Sequence, residues 1–347
     1  MTDSVVRFDG VDIVFGPKPE AALPLIDAGQ TRSQIQTQTG QILGVAQCTL
    51  DVAAGEVLVL MGLSGSGKST LLRAVNALNS VVRGAVMVRA TPSDDWLDPH
   101  TCSAAELRAL RLNTVSMVFQ QFGLLPWRSV AENVGFGLEL AGVRPSAIRH
   151  RVAQQLELVG LADWADRPVQ SLSGGMQQRV GLARAFVTEA PILLMDEPYS
   201  ALDPLIRARL QDELLALQAQ LNRTIVFVSH DLDEAIKIGT RIAIMDGGRI
   251  VQCGTAQDIL NAPANQYVAD FVAHMNPLAV LTARDAMREL PAGAPTHAGA
   301  LTVARDAPLR DVMRASVDTN LPVYVEHNGA RIGIVDSTDL QKALLRD

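Results

Sequence analysis

A chain of 347 residues with 48% hydrophobic and 19% charged side chains can bury a sizeable core, and it exceeds one average domain, which predicts a large domain with an appendage. Its net charge of -7 argues against a nucleic-acid binder, which carries a basic footprint. Cys48, Cys102 and Cys253 are too few and too scattered for a disulfide framework or a metal site, no apolar run approaches the ~20 residues of a bilayer span, and residues 1–10 carry charges where a signal peptide needs an apolar stretch. These features fit reduced thiols in a cytosolic compartment, and a protein that serves any membrane from the water side.

In chain order, residues 5–8 and 11–15 read as short strands flanking Asp9-Gly10, and Gly16-Pro17 breaks the chain. Residues 21–44 have the character of an insertion, partly helical and glutamine-rich around 34–41, a composition often associated with flexibility. The apolar run 57–61 predicts a buried strand leading into a glycine-rich turn, with a helix over 69–78 beyond it. From 91 to 170 the pattern is more helical: Ser103/Glu106 and Ser129/Glu132 match the capping box, and a helix over 146–159 follows Pro145 and stops at Gly160. Strands return at 192–195, 224–229 and 242–245, with a helix over 204–221 between the first two. This alternation predicts an α/β fold with a mostly parallel sheet covered by helices, and an inserted helical subdomain at about 100–172. After 277 the composition turns rich in Ala and Pro. Residues 321–325 and 331–335 then read as strands joined at Asn328-Gly329, with helices over 309–315 and 337–345, which predicts a second, small α+β domain at 278–347.

Three segments carry chemistry. Gly62, Leu63, Ser64, Gly65, Ser66, Gly67, Lys68, Ser69 and Thr70 form a phosphate-binding loop between the strand and the helix. Its glycines let successive amides point at phosphate oxygens, Lys68 supplies a point charge, and Ser69 supplies a hydroxyl to Mg2+. Asp196 ends the strand over 192–195, where a carboxylate can hold the Mg2+ shell; Glu197 points differently and is the candidate for polarising an attacking water. Asp-Glu after a strand is by itself more often a solvated strand end; paired with the Lys68 loop it points to the nucleotide site. Ser173, Gly174 and Gly175 open a helix and make a second anion seat, or an ordinary loop-to-helix junction.

The set resembles the nucleotide-binding subunit of an ABC transporter, a P-loop NTPase with a mostly parallel core, an antiparallel β subdomain and an inserted helical subdomain, here over about 1–277. Leu172-Ser-Gly-Gly-Met-Gln177-Gln-Arg179 is similar to the family signature, Val118-Phe-Gln120-Gln to its Q-loop, Ser200-Ala-Leu-Asp203 to its D-loop, and His230 in Val228-Ser-His-Asp to its switch histidine. The resemblance implies two ATP molecules between two head-to-tail copies, with Mg2+ held by Ser69, Gln120 and Asp196, with Lys68 and Glu197 of one copy working with Ser173 of the other, and with Gly174, Gly175, Gln177 and Asp203 among the nucleotide-binding residues. Phe15 is the candidate to stack on adenine, against the alternative of a core phenylalanine.

The segments 62–73, 136–142, 203–207 and 229–238, with the long insertion before Val45, resemble importers of glycine betaine, proline and choline; the run 272–278 with His274-Met-Asn-Pro is most similar to the choline branch. The resemblance implies membrane permease partners, a solute-binding protein reached only through the permease, and a peripheral position on the cytoplasmic face of the inner membrane. Leu124-Leu-Pro-Trp127-Arg is the expected permease contact, unless it is buried in the helical subdomain. The tail resembles a single CBS motif, which leaves open a sensor and a plain dimerising appendage. A soluble ABC ATPase acting on ribosomes or DNA, an importer of an unrelated solute and a non-hydrolysing regulator are the competing classes; intact Glu197 and His230 speak against the last.

Overall fold

The computed structural model describes residues 3–273, 275–290, 297 and 299–345. Its first element corrects the sequence reading. The two short strands are one, β1 (Ser4–Phe15), with Gly10 inside it at φ +57°. The register shifts between Phe8 and Val11 against one neighbour and between Asp9 and Asp12 against the other, so Asp9-Gly10 is an irregularity of the ladder and not a turn.

The glutamine-rich insertion folds. A 3-10 turn (Pro19–Ala22) leads to α1 (Leu23–Asp27) and α2 (Arg32–Thr39). A capping box between Thr31 and Gln34 starts α2, and Gly40 at φ +69° ends it. Ala22, Ile26 and Ile35 are fully buried against Val14 of β1 and against Leu43 and Ala46 of β2 (Ile42–Ala53). Gln34, Gln36 and Gln38 face solvent while Ile35 anchors the helix, so composition understated the order of this segment.

β3 (Val57–Met61) is buried at every position and feeds the phosphate loop and α3 (Lys68–Leu72). The helix stops short of the expected 78 because the amides of Ala74, Val75 and Ala77 bond three residues back, and Ala77 sits at φ +54°. β4 (Arg83–Val88) completes a three-stranded antiparallel sheet in the order β2-β1-β4.

Within the expected helical block, α4 (Ala104–Ala109) is followed by β5 (Val115–Val118), an edge strand of the central sheet. Four residues are too few for a strand period to stand out from buried helix, so β5 was not legible. The helices that pack together are α5 (Val130–Leu140), α6 (Pro145–Leu158) and α7 (Gly174–Phe186). Both serine capping boxes form as expected. The chain then returns to the sheet through β6 (Ile192–Asp196), α8 (Pro204–Leu221), β7 (Thr224–Val228), α9 (Leu232–Ile238), β8 (Arg241–Asp246) and β9 (Arg249–Gly254).

The central sheet runs β5-β6-β7-β3-β8-β9, and the pairs β5–β6, β6–β7, β7–β3 and β3–β8 are parallel. All their C-terminal ends therefore open on one edge, the edge where ligands bind in such sheets. Side chains from both sheets and α3 share one core, including Phe8, Val45, Leu60, Leu72, Leu194 and Val226. Cys48 is in that core, where burial pushes its thiol up to about 12, and all three cysteines are free.

By compactness the chain divides into residues 1–230 with 238–253, and residues 231–237 with 254–347; the boundary expected at 278 lies inside the second unit. That unit contains α10 (Ala256–Asn261), α11 (Gln266–Val272), α12 (Pro277–Val280), α13 (Ala283–Ala286), β10 (Arg288–Glu289), β11 (Thr302–Ala304), α14 (Leu309–Thr319), β12 (Val323–His327), β13 (Ala330–Val335) and α15 (Ser337–Leu345). Its sheet order is β10-β13-β12-β11, with β11 parallel to β12 and β12 antiparallel to β13. Asn328 and Gly329 join that hairpin at φ +51° and +78°, the two positive values a type I′ turn requires. His274 lies outside the described residues.

Candidate nucleotide site

The phosphate loop needs glycine where it meets other backbone. A Cβ on Gly62 (φ +139°) would lie 2.1 Å from the carbonyl oxygen of Met245, and one on Gly67 (φ +107°) would lie 2.5 Å from that of Gly44. Lys68 follows at the start of α3, only 6% exposed, and its Nζ donates to the carbonyls of Gly62 (2.8 Å) and Leu63 (3.0 Å). Burial pulls its pKa down, against the opposing pull of the Glu197 and Asp196 charges. Ser69 Oγ donates to Asp196 Oδ1 at 2.6 Å, and Arg73 Nη2 pairs with Asp196 Oδ2 at 2.8 Å. Asp196 is completely buried, and these two partners satisfy both of its carboxylate oxygens there. β3 and β6 are separated by β7, so only the parallel sheet brings Ser69 and Asp196 together.

Glu197 turns away from Asp196, as expected, through a left-handed backbone at φ +47°, with its amide bonded to the carbonyl of Val228 at 3.1 Å. Its Oε2 accepts from Gln120 Nε2 at 3.1 Å and lies 3.7 Å from His230 Nδ1. Three successive strand ends, after β5, β6 and β7, thus converge on one carboxylate oxygen. A cavity of about 330 Å³ takes in Ser64, Gly65, Gly67, Lys68, Ser69, Thr70, Gln120 and Glu197. Phe15 lies on its wall at 40% exposure and is therefore not a core side chain. Gly62 and Leu63 serve through their carbonyls, and Ser66 is buried beneath the loop. Ser69 and Asp196, with the Gln120 amide alongside, supply the hard oxygen donors that suit Mg2+, an ion that takes few protein ligands and leaves the rest of its shell to water and phosphate.

The remaining expected residues lie elsewhere. Ser173 caps α7 by accepting from the amide of Met176 at 3.4 Å, and a Cβ on Gly174 would meet nothing within 4 Å. Gln177 points back, donating to the carbonyls of Val169 and Leu172. Asp203 caps α8 by accepting from the amide of Ile206 at 3.0 Å. None of these lines the cavity.

Sequence reasoning missed three side chains. Arg73 sits four residues after Ser69, a helical spacing that could have revealed it. Gln178 is buried between α7 and the turn after β6, donating to the Glu197 carbonyl at 3.4 Å and accepting from the Ala201 amide at 3.1 Å. Arg32 of the insertion lines the cavity and donates to the carbonyls of Gly65 and Gly44, and nothing local marks it.

Residues 45–200 match the family described as "ABC transporter", a span that holds the phosphate loop, Gln120, the 172–179 motif, Asp196 and Glu197. Among solved structures, the dimeric ATP-binding cassette MJ0796 bound to ADP and Pi is similar with a TM-score of 0.62 at 28% identity, covering 72% of this chain and 98% of that one. The chain is 48% identical over 280 residues to the glycine betaine/proline betaine transport system ATP-binding protein ProV of Escherichia coli, which is 81% of this chain and 68% of that protein. It is 39% identical to the glycine betaine/carnitine transport ATP-binding protein GbuA of Listeria monocytogenes over 98% of this chain and 82% of the relative. It is 44% identical to the trimethylamine N-oxide transport system ATP-binding protein TmoW of Ruegeria pomeroyi over 86% and 87%. A phosphate loop, a buried carboxylate on its serine and a strand-end glutamate met by a glutamine and a histidine are the parts of an ATPase, and this chain belongs to the ABC transporter ATP-binding proteins, in the branch that holds those of the glycine betaine transport systems.

Proposed function

We propose that the chain hydrolyses ATP to power uptake of a quaternary amine, with glycine betaine first and choline second, through membrane permease subunits fed by a solute-binding protein. The observation that carries this reading is the identity of 39–48% to glycine betaine transport ATP-binding proteins across 81–98% of the chain. Choline, the second candidate, is supported by the resemblance of the run at 272–278. Among the described residues no helix is long and apolar enough to cross a membrane, which fits a subunit held against the inner face of the membrane by its partners. The best-placed contact is the loop carrying Trp127, 76% exposed, beside a groove of about 350 Å³ lined by Phe119, Leu125, Phe136 and Arg184.

In this reading the loop amides and Lys68 hold the phosphates of ATP, and Ser69, Asp196 and Gln120 hold Mg2+, which offsets charge on the β- and γ-phosphates when bound. Glu197 polarises water, His230 steadies the γ-phosphate, and Phe15 stacks on adenine. The open Ser173-Gly174-Gly175 seat, supported by Gln177 and flanked by Asp203, closes on the ATP of a second copy, giving a head-to-tail homodimer. Hydrolysis restores like charges across the two seats and separates the copies, which drives the permease. The β11-α14-β12-β13-α15 order supports reading the tail as a single CBS-like motif that helps copies pair.

The test is reconstitution of the native complex in vesicles with its binding protein. Saturating glycine betaine should raise ATP hydrolysis severalfold and accompany uptake of the labelled solute. Stimulation by a polyamine instead, with none by glycine betaine, choline or trimethylamine N-oxide, would overturn the assignment.

A further inference from the structure

The insertion between β1 and β2 is not a passive loop, because it delivers a cation to the phosphate loop. Arg32 is the first residue of α2, whose position is set by the Thr31/Gln34 capping box and by Ile35 buried among Val14, Ile26 and Leu43. From there the guanidinium reaches across 33 positions in sequence to the loop. Nη1 donates to the carbonyl of Gly65, and Nη2 donates to the carbonyl of Gly44 in β2. Glycines make room for it: a Cβ on Gly67 would lie 3.2 Å from Nη2, and a Cβ on Gly248 would lie 3.2 Å from Nη2 and 3.4 Å from Nε. The side chain lines the same cavity as Lys68, Ser69 and Glu197.

We propose that Arg32 is a positioning residue for nucleotide binding, a fork that ties the phosphate loop to β2 and holds its amides in the geometry that receives phosphate. The physical reason is entropic. The glycines at 62, 65 and 67 each lose more conformational freedom on ordering than any other residue would, and a brace already in place removes part of that cost from the binding step. Arginine suits this role because its planar guanidinium presents donors in a fixed fork and keeps its charge even where burial pulls its pKa down, as it does here. The partners are backbone carbonyls, so the bond reads loop shape and not loop sequence. The inference rests on the reading of this cavity as an ATP site.

The experiment compares the wild type with Arg32→Met, Arg32→Lys and Thr31→Ala in the intact complex, measuring the Kd of MgATP by calorimetry together with KM and kcat for hydrolysis. Arg32→Met should raise Kd and KM roughly tenfold with kcat within about twofold, since nothing that touches the reacting atoms has changed. Arg32→Lys keeps the charge and loses the fork, so it should remain weak. Wild-type affinity in the lysine variant would overturn the fork, and a fall in kcat at unchanged KM would overturn positioning. If the methionine variant does not fold, Thr31→Ala carries the test: it leaves Arg32 in place and loosens the turn that aims it, so KM should rise by a smaller factor, and an unchanged KM overturns the proposal. A wild type that binds no MgATP would instead defeat the reading of the cavity itself.

Discussion

The loop at 62–69 and the segment at 173–175 are both glycine-rich entries to a helix, but they are equipped very differently. The first has a buried lysine, a serine bonded to a buried carboxylate, an aromatic wall and a brace from the insertion. The second has a capping serine and an open approach over Gly174, and its nearby polar side chain, Gln177, is turned back onto the segment before the helix. A helix start that offers only amides and a hydroxyl cannot process a triphosphate alone. It can complete a site that already holds a lysine and a carboxylate. The difference teaches that the chain carries one nearly full set of phosphate ligands and one partial set, which complement each other in the proposed head-to-tail pair.

The largest effect that would break this comparison lies in the first seat. Glu197→Gln removes the carboxylate on which Gln120 and His230 converge, and steady-state phosphate release should fall by roughly 10²–10⁴-fold, the range of general-base contributions, while MgATP still binds and dimers accumulate. Hydrolysis at the wild-type rate would remove Glu197 from its role. A second variant isolates the other seat. Ser173→Arg fills the open approach and should leave the MgATP Kd of a single copy within about twofold, yet abolish ATP-dependent dimerisation seen by light scattering. Weakened nucleotide binding in dilute, monomeric protein would show that the second seat belongs to the same chain's site after all.

The smallest effect sharpens the electrostatics. Phosphate favours protonated Lys68, and burial has lowered the pKa of that group in the free cavity. Binding should therefore be strongest below the free-cavity pKa and weaken as pH rises through it, with the decline starting below the ordinary lysine value of about 10.4. Calorimetric Kd against pH would check this, and Lys68→Arg should flatten the alkaline decline because arginine does not deprotonate in that range.

Much of the first seat was legible in the sequence because its chemistry is local. The glycines, Lys68 and Ser69 lie within eight positions of one another after an apolar run, and Asp196 and Glu197 end another such run. The capping boxes at 103 and 129 and the Asn328-Gly329 hairpin were readable for the same reason. The misses share the opposite property. β5 has four residues and gains its identity from pairing with β6. The helical start at 69 ran out at Leu72 because the amides that follow turn to tighter partners. α2 carries a single buried anchor, so its amphipathic signal was too thin to outweigh a polar composition.

What the sequence determined by itself is therefore the parts: a phosphate loop, a strand-end acid pair, a capped helix start, and the kinds of elements that present them, since each is a matter of neighbours within a few residues. Only the tertiary structure decided which parts meet. The parallel order β5-β6-β7-β3 brings Gln120 and His230 to one carboxylate oxygen of Glu197 and sets Asp196 against Ser69 across an intervening strand. The insertion's small core swings Arg32 onto a loop 33 positions away. Those are contacts between strand ends and carbonyls that no local periodicity encodes, because sheet order and loop closure depend on how the whole chain buries its apolar faces.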